Sequence, residues 1–539
     1  MGAGRISEKV EVEPGALLGE LERLRGEGYV HLVTITGLDE GGAIGLIYHL
    51  ARPGGGVVHV KTSVPKGGAA PTAMGVFPGA YIYEMEVHDM FGLRFQGNPH
   101  MGRRLLLPDC YPEDEPPLLK STDPLRVRER LFAPGTSCLT GPPVTGLSKY
   151  SPESVAIPFG PYHPAFKEPE HFTLIVEGER ILEAVPRIGF VHRGVEKAAE
   201  QRSYLRDIFL LERICGICSM HHGLTFTLAV EELLGVEVPE RASYIRVLVS
   251  ELERIHSHTL WLGLVGYWMG FETLFMWVWT VREEIMDLIE LVSGNRVHKS
   301  IVTIGGVRRD VDGEKLRRVG ERIRRFEKEF SRLVEDVLSL DEFIERTQGV
   351  GRYTAEAARR LSTVGPVRRA VGDPYDIRRI EPYCAYGDLD FKVVTGGSGD
   401  VYNLVRVRVG EVLESVHIVE QVVDMMPPGE AVPKRLFMGV VKEGEAYARV
   451  EAPRGELFHY VAAGGGHNPE RVKVRTPTLA NIMLAAEALR GQTVSDVPLV
   501  ITMIDPCFSC MDRVLVADVR GGGRRVLTEA DFHRMRRRW

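Results

Sequence analysis

Glu212-Arg-Ile-Cys-Gly-Ile-Cys-Ser-Met-His-His222 and Asp505-Pro-Cys-Phe-Ser-Cys-Met-Asp-Arg513 are the two stretches on which the reading of this chain turns. Each holds a Cys-x-x-Cys pair, a spacing whose tight turn brings two sulfurs to one side of a single metal ion. Four thiolates are soft ligands and suit zinc, nickel or an iron–sulfur cluster. Structural zinc ribbons usually pair their knuckles within tens of residues. Here Cys218 and Cys507 stand far apart in sequence, so the two halves must meet at the heart of a large fold. Structural zinc, an iron–sulfur cluster and a catalytic metal all remain open on spacing alone.

The rest of the composition narrows the class. The chain has 539 residues and a formal net charge of −6, which argues against nucleic acid as a partner because such binding needs a basic face. Seven cysteines, with no apolar leader in Met1 to Val12, read as a reduced, metal-binding chain and not as a disulfide framework. Cys110, Cys138 and Cys384 are too few for a thiolate-ligated cluster of their own and are expected to be buried or incidental, so no iron–sulfur cluster is expected in this chain. Thr259 to Val281 is almost wholly apolar and long enough to cross a bilayer. Glu272 interrupts it, and Arg254, His256, His258, Arg282 and Glu283 crowd its ends, so it reads as a buried helix pair and no transmembrane segment is expected.

Periodicity predicts an α+β chain. Tyr29–Thr36, Ala43–Ala51 and Val57–Thr62 are short apolar runs between Gly- and Asp-rich turns, as strands require. The Pro-, Gly-, Ser- and Thr-rich stretch from Ser121 to Tyr150 reads as a linker. Val195–Arg213 is a helix candidate. Leu316, Val319, Ile323, Phe326, Phe330, Leu333 and Val337 mark the core face of a helix over Asp312–Leu340. From Val401 the pattern is mixed, with strand-like runs. The expected division is a small α+β unit over 1–125, a linker over 126–150, a large mostly helical unit with peripheral β-structure over 151–513, and an extension over 514–539.

Arg213-x-Cys-Gly-x-Cys-x-x-x-His222 and Asp505-Pro-Cys-x-x-Cys-x-x-Arg513 resemble the two signatures of nickel–iron hydrogenase large subunits. Ala452-Pro-Arg-Gly-Glu-Leu-Phe-His459 and Arg475-Thr-Pro-Thr-Leu-Ala-Asn481 resemble that family's arginine loop and the segment after it. Gly160-Pro-Tyr-His-Pro164 and Val191-His-Arg-Gly-Val-Glu-Lys197 resemble both these hydrogenases and the 49-kilodalton quinone-site subunit of complex I. Asp89-Met-Phe-Gly-Leu-Arg-Phe-Gln-Gly97 through Pro117-Leu-Leu-Lys120 resembles the 30-kilodalton complex I subunit. The resemblance covers nearly the whole chain. It implies the fused large subunit of an energy-converting, formate-hydrogenlyase-type hydrogenase that evolves hydrogen. The alternative is a complex I-like scaffold or quinone-site subunit without hydrogenase activity. Relatives of that kind lack the full cysteine set, and keeping all four argues for a working centre.

The resemblance also implies roles. Cys215, Cys218, Cys507 and Cys510 would hold a nickel–iron centre, with Cys218 and Cys510 bridging to an iron that carries carbon monoxide and cyanide. Cys507 would exchange the proton. Glu168, in Glu-Pro-x-His, is preferred over Glu170 as proton relay; the plain alternative is a solvated loop carboxylate. Arg454 would donate to a cyanide, or else form a structural ion pair. His222 can reach the Cys218 sulfur from one turn along a helix, while its neighbour His221 reads as structural. Asp505 would support the site, although Asp-Pro also opens turns, and Thr476 and Thr478 would bond the other cyanide. The implied partners are a small subunit with a four-iron four-sulfur cluster, ferredoxin-like electron-transfer subunits, integral membrane subunits and a maturation protease that cuts between Arg513 and Val514. The implied place is the cytoplasmic face of the membrane, held peripherally.

Overall fold

A computed structural model describes residues 2–133, 150–166 and 168–508. In the N-terminal unit a sheet runs in the order Val10–Glu11, Val57–Pro65, Ala43–Ala51 and His31–Asp39. The last two strands are buried almost end to end, because both of their faces are covered. The helix Ala80–Phe91 packs against the His31–Asp39 strand on one face, so closely that a Cβ at Gly37 would lie 2.5 Å from the Phe91 ring. On the other face Val33, Ile47 and Ala51 meet Phe458 and Tyr460 of the large unit.

The large unit carries a second sheet, in the order Ala3–Arg5, Gly444–Ala452, Gly455–Ala463 and Pro469–Arg475. Its first strand comes from the extreme N-terminus and stitches the two units together. The helix Ser219–Leu234 packs on this sheet, and beyond it the helices Glu240–Trp268, Glu272–Ser293, Gly313–Leu338 and Val401–Met425 pack on one another. The predicted apolar stripe of the Gly313–Leu338 helix is buried throughout, and Asp312 caps its start by accepting from the Lys315 N–H. The apolar Thr259–Val281 stretch breaks at Met269–Phe271 into two antiparallel helices. Among the described residues no helix is long and apolar enough to cross a membrane.

Four details differ from expectation. The Val195–Arg213 candidate is two helices, Val195–Ala199 and Tyr204–Glu212, with Ser203 extended between them. A helix, Pro124–Leu131, forms inside the stretch read as linker, because Asp123 caps it, Pro opens it, and Val127 and Leu131 are buried one turn apart. Val401–Met425 is one long helix despite its many valines; burial of one valine-rich face outweighs their weak helix preference. Cys110 is disulfide-bonded, not an incidental free thiol. Cys138, Cys510, Arg513, Val514 and the extension 514–539 lie outside the described residues.

Candidate metal centre

The helix Tyr204–Glu212 delivers the chain into the first Cys-x-x-Cys turn, and Cys218 is the cap residue of the helix Ser219–Leu234. The second half arrives after the short helix Val497–Met503. Cys215, Cys218 and Cys507 are all buried and form one cluster, with Cys507 Sγ 2.8 Å from Cys215 Sγ. Backbone donors hold this geometry: the Ile217 N–H points at Cys215 Sγ (3.3 Å), and the Cys507 N–H donates to Thr478 Oγ1 (3.1 Å).

Arg454 sits at the tip of a two-residue hairpin between the strands Gly444–Ala452 and Gly455–Ala463. Gly455, at φ +125°, allows that tip to pass against the backbone of Gly365, where a Cβ would meet Gly365 N at 2.6 Å. From there Arg454 Nε donates to the Asp505 carbonyl (2.6 Å) and Nη2 to Asp505 Oδ1 (3.0 Å). Arg408 approaches the other Asp505 oxygen at 3.6 Å. Asp505 itself adopts φ +49°, a left-handed conformation that aspartate tolerates better than most residues. Arg454 Nη1 is buried and has no partner among the described residues.

The first turn is anchored by a group that the sequence did not single out. Glu253, on the helix Glu240–Trp268, accepts from the backbone N–H groups of Met220 (2.9 Å) and His221 (3.2 Å). His221 Nδ1 lies 2.6 Å and Lys299 Nζ 2.8 Å from its oxygens. Burial opposes ionisation of Glu253, but the Lys299 ammonium and the His221 hydrogen bond outweigh it and hold the carboxyl well below its usual range. A carboxylate is thus fixed at the positive end of the helix that begins at Cys218. His221 is therefore structural, as expected. His222 faces His459, with Nδ1 and Nε2 3.3 Å apart, and burial lowers its pKa to about 4.

Glu168 is half-buried, whereas Glu170 is wholly buried and burial raises its pKa well above the usual carboxylate range. Phe166, two residues before Glu168, packs edge-on against Phe508 beside Cys507, so the loop carrying both acids borders the second cysteine motif.

The described donors alone do not complete a metal-binding cluster; Cys510, the fourth thiol, lies outside them. The three present fit a soft cation. Hydrogen bonds with Cys215 and Cys507, then burial, keep the Cys218 thiol well above its ordinary range. The pocket therefore disfavours thiolates unless positive charge sits among them. Arg454 supplies some of it, and a divalent metal of the kind thiolates prefer, nickel among them, would supply the remainder.

Comparison with known proteins agrees. Residues 193–263 match the nickel-dependent hydrogenase family, 269–513 the 49 Kd subunit of respiratory-chain NADH dehydrogenase, and 10–126 its 30 Kd subunit. The membrane-bound hydrogenase subunit alpha of Pyrococcus furiosus is 44% identical over 70% of this chain and 91% of its own. The chain belongs to the complex I-related nickel–iron hydrogenase family. Formate hydrogenlyase subunit 5 of Escherichia coli is 37% identical, over 85% of this chain and 79% of the relative. A subunit in the solved structure of the membrane-bound sulfane sulfur reductase, an archaeal respiratory membrane complex, matches with a TM-score of 0.64 at 34% identity. That match covers 67% of this chain and 99% of the other.

In this nickel–iron hydrogenase subunit, related to subunits of membrane-bound complexes, three cysteines of the two Cys-x-x-Cys motifs meet at one point. Arg454, Asp505, Thr478 and His222 all surround the three described thiols. Glu253, Lys299 and Arg408 went unnoticed because they lie far from either motif. Glu253 carries only a faint signal, an acid amid the apolar positions of a long helix.

Proposed function

We propose that this chain is the hydrogen-activating large subunit of a membrane-associated complex, with Cys215, Cys218, Cys507 and Cys510 holding nickel and iron. The iron would carry carbon monoxide and cyanide ligands, as the family resemblance implies. When bound, the metal pair supplies the redox and Lewis-acid chemistry for two protons plus two electrons giving hydrogen, reversibly. The observation that carries the reading is the meeting of three buried thiols from two distant Cys-x-x-Cys motifs at one point.

The chain's own groups do the rest. Cys507 Sγ takes up and releases the proton. Glu168, in the loop that borders the second cysteine motif, passes it onward. Arg454 offers its free Nη1–H to a diatomic ligand while Asp505, steadied by Arg408, fixes the guanidinium. Thr478 fixes the Cys507 backbone and offers its hydroxyl to the same ligand shell, and His222 supports the Cys218 side. The units 1–125 and 151–513, joined by 126–150, would dock as the fused counterparts of two complex I subunits. The extension 514–539 would be removed by a maturation protease between Arg513 and Val514.

Electrons would pass to a small subunit with a four-iron four-sulfur cluster, then to ferredoxin-like subunits, with integral membrane subunits anchoring the assembly at the cytoplasmic face. A formate-hydrogenlyase-type role, evolving hydrogen, fits the fusion. The test is nickel and iron content together with hydrogen evolution, in the native complex and in Cys218→Ser. Native protein with both metals and activity, both lost in the variant, supports the reading; zinc without nickel in the native protein refutes it.

A further inference from the structure

Between the N-terminal unit and the large unit lies a cavity of about 40 Å³, with room for a few waters. Its polar lining comes from both sides: Glu86 from the helix Ala80–Phe91, and His192, Arg193, Glu196 and Thr476 from the large unit. Ile214, the residue before Cys215, forms part of the wall, and Arg193 donates to the carbonyls of Arg213 and Ile214. Thr476 stands two residues before Thr478, whose hydroxyl receives the Cys507 N–H. The cavity therefore reaches the residue before the first cysteine turn, and its wall continues in sequence toward the threonine that holds Cys507.

Two acids meet there in unequal circumstances. Glu196 is ion-paired with Arg471 at 2.7 Å and accepts from the Val474 N–H at 3.0 Å. Glu86 pairs through Oε1 with Lys473, while its Oε2 is buried and has no partner among the described residues. Glu86 is only 9% exposed and is one of the residues that line the cavity. Burial raises its proton affinity; Lys473 opposes that and the Glu196 charge adds to it, whereas the cationic neighbours keep Glu196 ionised. Two neighbouring carboxyls pushed in opposite directions divide the labour of holding charge and carrying protons.

We propose that Glu86 is a proton-holding station on a second route to the metal site, through this cavity, supplied by the fused N-terminal unit. The inference rests on the hydrogenase reading above. A hydronium ion in the cavity breaks one of its O–H bonds as the new O–H bond forms at Glu86 Oε2, leaving water behind and loosening the Lys473 pair. The same O–H bond then breaks as the proton passes to water on the Ile214 side, restoring the carboxylate and the pair. No electrons move in this step. Tyr83, His192, Arg193, Glu196, Arg471 and Lys473 are the charged or titratable groups around Glu86, and they set the pH at which it works.

The test uses the purified complex with native chain, Glu86→Gln and Glu86→Asp. Metal content, hydrogen evolution against pH, the solvent deuterium isotope effect and rescue by added imidazole are measured. Glu86→Gln should keep both metals and lose roughly ten-fold in rate on the alkaline side, where protons are scarce. Its isotope effect should grow, and imidazole should restore part of the rate. Glu86→Asp keeps a carboxyl but shortens its reach, so it should keep both metals and most of the rate while its pH profile shifts from native. A native rate, pH profile and isotope effect in Glu86→Gln would overturn the inference. So would a lost rate with unchanged isotope effect and no rescue, which marks a purely structural pair with Lys473. If Glu86→Gln fails to assemble, Glu86→Asp decides: a shifted pH profile with metals retained supports the station, and a native profile overturns it. Absence of nickel or hydrogen evolution in the native complex would instead refute the reading on which the inference rests.

Discussion

Replacing Glu253 with alanine removes the group that fixes the first cysteine turn. The buried Lys299 ammonium, 2.8 Å from Glu253, loses its counter-charge, and the Met220 and His221 N–H groups lose their acceptor. Breaking a buried ion pair from one side costs about 3–5 kcal/mol. At about 1.4 kcal/mol per decade, local opening of the helix start becomes roughly two to four orders of magnitude more frequent. Hydrogen–deuterium exchange at the Met220 and His221 amides in the assembled complex should accelerate by that amount, and nickel should dissociate faster. Pairing Glu253→Gln with Lys299→Met removes both charges and should recover most of the protection. Native exchange rates and nickel retention in Glu253→Ala would refute the claim that this carboxylate positions the Cys218 side of the site.

Glu168→Gln should retain nickel and iron but lose most hydrogen evolution and proton–deuterium exchange; full exchange activity would move the relay to Glu170 or elsewhere. Burial holds the Asp207 carboxyl up at about 9, and neither oxygen has a partner among the described residues. The folded chain thus keeps a proton that the unfolded chain releases above an ordinary aspartate value of about 3.9. Its contribution to stability is full below that value and falls by about 1.4 kcal/mol per pH unit as pH rises toward the folded value. Asp207→Asn should abolish that slope and be the more stable form at neutral pH, as measured by urea unfolding midpoints across the range; an unchanged slope contradicts it. Intact-mass measurement of the nickel-replete subunit should find the chain ending at Arg513, and a mass matching all 539 residues would refute processing.

The parts of the fold legible in the sequence were those with a strong local period. The Leu316–Val337 stripe gave the long helix and its buried face, because an amphipathic surface helix carries its own signal. Val401–Met425 hid its helix because its valines favour strands locally, and only packing against the helices Glu240–Trp268 and Gly313–Leu338 decides otherwise. The strand Ala3–Arg5 could not be foreseen, since its partner lies at the other end of the chain. The site divides in the same way. Cys215, Cys218 and Cys507 announced themselves by spacing, and Arg454 by the resemblance of its segment to the family's arginine loop. Glu253, Lys299 and Arg408 each reach the site across tertiary contacts from elements with no motif. Glu86 belongs to a different unit altogether, and its free oxygen is visible only once the two units are packed together.

The central claim is that two distant Cys-x-x-Cys motifs hold one nickel and one iron. Elemental analysis of the purified native complex, expressed per copy of this chain and corrected for the iron of its partner subunits, tests it most directly. The account predicts one nickel and one iron attributable to this chain, both lost in Cys218→Ser because a hydroxyl is a poor ligand for these metals. Zinc in place of nickel in hydrogen-evolving protein, or full nickel retention in Cys218→Ser, would contradict it.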